Sequence, residues 1–302
     1  MSNTLLLRLA APMQSWGSSS KFNMRSTQRE PTKSGVIGMI ASALGRGRDE
    51  DLTDLCKLKF GVRIDQVGKV QREYQTAKKW LPKEQKYSTN KNDAFKSTRY
   101  FLSDAVFLVG LDGDLELLKD IEHALKNPVF PIGLGRRAYI PELPLVLRCS
   151  NKSLLEALKT EAWQAKEWYQ KRTLNEFTRR QNNFENADEK VNDFQDFWLE
   201  IVHDVDAALD KGDGISNSFM SHDLPVSFSQ EHRKYALRSI VGQVHGVKIS
   251  ELEGPNKSTK EILRADLFPV EVQDEGIVSE KVMPIHDVFA LIDDKTKNSW
   301  EE

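Results

Sequence analysis

The apolar pattern of the chain predicts an α+β protein built on a ferredoxin-like βαββαβ unit. Three observations carry this. Strand-like apolar runs recur at residues 4–9, 59–66, 104–111 and 143–149. Stretches of helical period, 35–45 and 114–127, fall between the first and second runs and between the third and fourth. Between the second and third runs lies a long polar, basic stretch, which reads as an arm.

Residues 4–9 (TLLLRL) are apolar at nearly every position, as in a strand buried on both faces. A polar loop follows, with Trp16 as its buried-looking aromatic. In residues 35–45, Val36, Ile37, Ile40, Ala41 and Leu44 form one helical stripe. Thr32 or Ser34 caps its start and Gly45 ends it. Gly35 and Gly38 cost this helix about 1 kcal/mol each relative to alanine, so something approaches the backbone closely. In residues 59–66, Phe60, Val62 and Ile64 alternate with Lys59, Arg63 and Asp65, and residues 69–76 return as a hairpin partner after Gly68. Residues 78–99 are basic, with Trp80, Tyr87 and Phe95 interleaved. The helix of 114–127 turns Leu115, Leu118, Ile121 and Leu125 to one side. Residues 131–141 form a glycine and arginine loop before the strand at 143–149.

Beyond residue 150 the pattern changes. The first domain is expected to span 1–150. Residues 151–217 read as a helical insertion rich in Glu, Lys, Asn and Gln with recurring Trp and Phe; residues 218–250 return to β character as C-terminal strands; residues 251–302 form an acidic extension. Charge divides likewise. Residues 1–150 hold 24 Lys and Arg against 16 Asp and Glu, and residues 151–302 hold 19 against 29, so the net charge of −2 conceals a basic front half suited to a polyanion. Ordinary surface variation explains the same numbers. The two cysteines, Cys56 and Cys149, lack metal-ligand spacing. No apolar run reaches the ~18–20 residues of a membrane span, and a cytoplasmic protein is expected.

Three segments are candidates for function. In the first, Gln14, Ser15, Trp16 and Gly17 precede Arg25, Arg29, Thr32, Lys33 and Ser34 at a helix start, where free amides and the helix dipole suit a phosphate; the same residues make an ordinary capped helix. In the second, Gly133, Gly135, Arg136 and Arg137 combine close backbone approach with forked donors, or form a glycine turn with exposed arginines. It is neither a Walker loop nor a dinucleotide fingerprint. In the third, the arm at 78–99 lays cations on a backbone while an aromatic stacks on a base, or is a solvated loop. Catalysis is poorly supported. All six histidines lie at residue 123 or later, leaving no imidazole in the basic front half to act as a base. His203, Asp204 and Asp206 fall on an expected helix, where adjacent residues diverge. No metal or other cofactor is expected.

The strings LRLAAPMQSWG, REPTKSGVIGMIASALGRGRDE, FGVRIDQVG with EYQT, and GLGRRAYIP, taken in order, resemble the CasD-type subunits of type I-E CRISPR surveillance complexes, within the RAMP superfamily. The likeness covers residues 4–149 and resumes at 223–249. It implies a ferredoxin-like RAMP domain with a protruding thumb, placed at about 76–100. It implies a non-catalytic subunit that binds the 5′ handle of the CRISPR RNA, joins the CasC backbone to the large CasA subunit, and meets target DNA only through the complex. Carried over, Gln14, Trp16 and Gly17 match the loop after the first strand; Thr32, Lys33 and Ser34 the helix start; Gly133, Gly135, Arg136 and Arg137 the glycine-rich loop. Arg25, Arg46, Arg48, Lys78, Lys79 and Arg99 complete the expected RNA contacts. The alternative is a metal-independent endoribonuclease of the type I-C kind, for which Tyr74, Lys78, Lys79 and Tyr87 supply partial candidates. A protein-only scaffold is the third reading.

Overall fold

The computed structural model describes residues 2–17, 23–89, 94–173, 176, 196–205 and 218–248. The chain divides into two units, Met1–Asp266 and Leu267–Glu302, and every described residue lies in the first. The tail expected at 251–302, and most of 177–217, lie outside the described residues.

In chain order the elements are β1 (Thr4–Ala10), β2 (Met13–Gln14), β3 (Met24–Arg25), α1 (Lys33–Ala43), α2 (Thr53–Cys56), β4 (Lys59–Gln66), β5 (Lys69–Lys78), β6 (Trp80–Leu81), β7 (Lys86–Tyr87), β8 (Ala94–Ser103), β9 (Val106–Asp112), α3 (Leu115–Lys126), β10 (Val146–Ser150), α4 (Leu154–Thr160), β11 (Asp196–Asp204), β12 (Ser218–Ser227) and β13 (Lys234–Lys248). The principal sheet has seven strands in the order β10-β1-β9-β4-β11-β13-β12, with every neighbouring pair antiparallel.

Both faces of this sheet are covered at β1 and β9, which explains the unbroken apolarity of β1. Leu5, Leu7 and Leu9 join Phe107, Val109, Phe60, Val62 and the apolar faces of α1 and α3 in the main core. Leu6 and Leu108 point the other way, against Leu154, Leu155 and Leu158 of α4 and Ile201 of β11. Helix α1 starts at an N-cap, Thr32, whose side chain accepts from the Gly35 amide. Asp114 caps α3, and Leu118, Ile121 and Leu125 form its buried face.

One expectation fails. Residues 196–204 lie in the stretch expected to be helical, yet β11 is a strand in the interior of the sheet, between β4 and β13. Its residues alternate in period 2, but partners on both sides and cover on both faces admit apolar residues at successive positions and blur that alternation. The strands expected at 218–250 are present as β12 and β13, and they continue the principal sheet beyond β11. Helix does occur in the inserted stretch, at α4 and residues 167–173.

Arg63 of β4 ties α4 down. It is 1% exposed, pairs with Asp65 at 2.6 Å, and donates to the carbonyls of Leu158, Glu161 and Ala162 at 2.6–2.7 Å. Asp65 in turn accepts from the Gln164 amide at 2.6 Å. One buried guanidinium thus receives the open carbonyls at the end of α4, which otherwise lack partners.

Strands β5 and β8 pair over ten residues each as a long hairpin, with β6 and β7 pairing farther along the arm. Short β2 and β3 flank β8. The hairpin begins at residue 69, nearer the core than the expected start of the arm at 76.

Candidate nucleic-acid interface

The three segments singled out in the sequence meet. The Ser15 amide donates to Leu134 O at 3.1 Å, and its hydroxyl to Tyr100 O of β8 at 3.2 Å. Gly135 has φ +86° and lies so close to Ser15 that an added Cβ would stand 1.7 Å from Ser15 O. Only glycine fits there, on grounds of both backbone region and space. Trp16 packs on α1, where a Cβ at Gly35 would come within 2.8 Å of its ring. The close approach anticipated at this glycine is therefore made by the protein's own indole.

Several residues expected to contact a ligand are consumed by these joints. Gln14 is fully buried; it donates to Leu9 O and Ala105 O at 3.2 and 2.8 Å and accepts from the Trp16 indole at 3.2 Å. Trp16 is 1% exposed. Thr32 caps α1 and is buried, as is Ser34. Arg136 donates to the Tyr139 hydroxyl at 2.7 Å and Tyr100 O at 2.9 Å, lies over the Tyr139 ring, and is 3.8 Å from Glu73. Arg46 forks onto Asp54. These five side chains, Gln14, Trp16, Thr32, Arg46 and Arg136, hold the site together, because buried polar groups require partners and find them within the fold.

Lys33 is the plainest correction. Its ammonium is buried against Asp204 at 3.0 Å, and its amide donates to Asp223 at 2.8 Å. Arg238 completes the network, donating to Asp223 at 2.7 and 2.9 Å and to Asp204. The N-terminus of α1 already holds an anion, the Asp223 carboxylate. Burial alone would raise this carboxyl, but the Arg238 contacts and the Lys33 amide outweigh it and hold the pKa below the ordinary carboxylate range. His203 and Asp204, paired here with β4 and β13, form no metal group; among the described residues none of three or more potential ligands exists.

What stays exposed is narrower: Gly17, Arg25, Arg29, Arg48, Lys78, Lys79, Gly135 and Arg137, with Gly133 partly covered. Arg99, opposite Glu73 in the hairpin and beside Arg25, has a buried Nε without a hydrogen-bond partner. The arm adds a surface that sequence reasoning missed. Opposed residues of an antiparallel pair share a face. One face carries Glu73, Gln75, Ser97, Arg99 and Phe101, and at its base packs against the glycine loop through Arg136 and Tyr139. The other carries Arg72, Tyr74, Thr76, Lys78, Lys96, Thr98 and Tyr100, with no acid among them. The period-2 signal was present in residues 72–78, but the pairing partner was needed to assemble the face. Trp80 and Tyr87 meet edge-on at 4.8 Å and both are exposed. Histidine also comes nearer than its sequence position suggested: His222 of β12 lines a cavity beside Gln28–Thr32, just before α1.

No helix among the described residues is long and apolar enough to cross a membrane. The family model for "CRISPR-associated protein (Cas_Cas5)" matches residues 4–241. The chain is similar to the CRISPR system Cascade subunit CasD of Escherichia coli (strain K12), with 33% identity over 163 residues, 49% of this chain and 71% of that protein. It resembles a chain of a solved CRISPR RNA-guided surveillance complex at 28% identity and TM-score 0.66, over 87% of this chain and 99% of that one. A crystal structure of a Cas protein matches at 32% identity and TM-score 0.54, over 83% and 99%.

Proposed function

The chain belongs to the CRISPR-associated Cas_Cas5 family, and from that membership we propose that it is a non-catalytic, RNA-binding subunit of a type I-E CRISPR surveillance complex. In this reading it holds the 5′ handle of the CRISPR RNA, joins a CasC-type backbone to a CasA-type large subunit in the cytoplasm, and meets target DNA only through the assembly. The strand order β10-β1-β9-β4, with α1 and α3 packed on one face, supports reading the core as ferredoxin-like. The β5–β8 hairpin is its thumb.

The observation that carries the proposal is the acid-free face of that hairpin, rooted where three loops meet. Arg72, Lys78 and Lys96 neutralise successive phosphates, while exposed Tyr74 offers a stacking plane for an unpaired base. Arg137, with the open backbone at Gly17 and Gly135, extends the path at the base, while Arg25 and Arg99 lie on the other face of the hairpin. Gln14, Trp16, Thr32, Lys33, Arg46 and Arg136 act indirectly, by holding these segments in place.

The test is binding of the full chain to a single-stranded RNA from the CRISPR repeat across a salt series. Replacing Arg72, Lys78 and Lys96 together by Ala removes three phosphate contacts, and the log–log salt slope falls by about 2, at roughly 0.7 per contact for single strands. An unchanged slope in the folded triple variant refutes the assignment.

His222 beside the loop that leads into α1 favours a second reading, metal-independent cleavage of precursor RNA with this imidazole as base. Incubation with repeat RNA in EDTA decides it: a single cut, lost in His222→Ala, establishes the nuclease, and intact RNA excludes it.

A further inference from the structure

Strands β5 and β8 hold five basic residues, Lys69, Arg72, Lys78, Lys96 and Arg99, and a single acid, Glu73. That acid stands among further cations. Arg25, Arg99 and Glu73 form one row across β3, β8 and β5 as register partners on neighbouring strands, so their side chains leave the same face. Nη1 of Arg136 approaches the row from the glycine loop, 3.8 Å from a Glu73 carboxylate oxygen. Three arginines thus surround one carboxylate, on the face of the hairpin that the phosphate path above does not use.

The carboxylate bonds to none of them. Arg136 is held without it, because the Tyr139 hydroxyl and Tyr100 O accept its hydrogen bonds and the Tyr139 ring lies beside it. Arg99 has a buried Nε with no hydrogen-bond partner, although Glu73 is its register partner across the hairpin. Glu73 instead accepts from the side-chain amide of Gln75, on its own strand. At 3.8 Å its contact with Arg136 is too long for a hydrogen bond, and its side chain is 40% exposed. An ion pair so long and so open to water is weak. Glu73 is therefore placed as a counter-ion, offsetting charge without bracing the arm.

We propose that Glu73 is an internal stand-in for a phosphate, closing an anion seat between Arg25 and Arg99 until bound RNA displaces it. The inference rests on the RNA-binding reading and adds to it a residue that holds affinity down. A buried donor such as Nε of Arg99 calls for an acceptor. A phosphate presents several oxygens, so one can accept from Arg99 while another meets the exposed Arg25 from the same side. Two anions repel each other in so small a space, and the entering phosphate turns the Glu73 carboxylate out to water, where it is already two-fifths of the way. The two faces of the hairpin lie one sheet thickness apart. A strand anchored on the acid-free face therefore presents its next phosphates at high effective concentration. A stray polyanion without that anchor meets the seat closed and the local charge reduced.

The test is the affinity of the full chain for a single-stranded RNA from the CRISPR repeat, at one salt concentration, with the unfolding midpoint of every variant measured alongside. Glu73→Gln removes the charge and keeps an oxygen to accept from Gln75. It binds about three- to fivefold tighter than wild type, the scale of one exposed ion pair that no longer has to be broken. Arg99→Gln binds more weakly, and adding Glu73→Gln to it brings no gain, because the seat that it opens has gone. Where Arg99→Gln lowers the midpoint, Arg25→Gln on the strand beside it serves as the second background. Affinity equal to or below wild type in folded Glu73→Gln overturns the proposal, makes Glu73 a strut of the arm and leaves the RNA-binding reading standing. A gain of the same size in both backgrounds also overturns it, as a general effect of net charge. Failure of the wild type to bind the RNA removes both readings together.

Discussion

Replacing Asp223 by Asn tests whether the start of α1 is sealed from within. Asp223 is 1% exposed and accepts hydrogen bonds from the Lys33 amide, from Nε and Nη2 of Arg238 and from the Ser221 side chain. The isosteric amide keeps the shape but removes the charge and puts an NH2 where at least one donor now points. Arg238 keeps only Asp204 as a charged partner, which it shares with Lys33. Breaking a buried ion pair from one side costs about 3–5 kcal/mol; because Asp204 remains, about 3 kcal/mol is expected, a large part of a typical 5–15 kcal/mol total. The pH dependence gives a second readout. The folded-state pKa of Asp223 is depressed, so the unfolded chain binds more protons between the folded value and the ordinary one near ~3.9. Its contribution is fully present above that range and is lost as pH falls through the folded value. Urea unfolding followed by circular dichroism at pH 7 and across pH 5–2.5 should show Asp223→Asn less stable at neutral pH, with a shallower acid decline than the wild type. An Asn variant with the wild-type midpoint at pH 7 and the wild-type acid profile would refute the reasoning and leave the helix start open to an external anion.

Other outcomes follow from the same geometry. Gly135→Ala should destabilise the protein by roughly 2 kcal/mol or more, combining a left-handed backbone penalty of about 1–2 kcal/mol with the collision against Ser15 O; a denaturation midpoint equal to wild type would contradict this. Arg136→Ala should loosen the base of the arm, read as faster amide exchange in residues 97–103, whereas Arg137→Ala should leave exchange unchanged and weaken only RNA binding. Arg63→Met strands Asp65 and the carbonyls at the end of α4, and should cost about 3–5 kcal/mol with early unfolding of residues 154–164 in hydrogen exchange; uniform exchange across the sheet would argue against a local latch.

How far the site could be read from sequence depended on where each partner lay. Thr32 was legible as a cap, because a cap and its amide are three residues apart. Lys33 was not, since its carboxylates lie 171 and 190 residues away. A basic residue at a helix start signals an anion, and sequence alone cannot say whether that anion is a phosphate or the chain's own aspartate. Arg136 misled in the same way, because Tyr100 and Glu73 reach it only through the hairpin. His222 seemed remote from the front half until β12 and the segment before α1 were found to wall one cavity.

Local pattern alone determined the run of β1, α1, β4, β9, α3 and β10, the presence of a basic arm, and the family likeness. Period, capping and turn chemistry act over a few residues, and each of these features is written within such a span. Tertiary structure alone decided that β11 is an inner strand, that the late strands extend one sheet, and which basic residues stay free for a ligand. A buried charge is matched by whatever the fold brings to it, and that pairing depends on contacts between residues far apart in the chain.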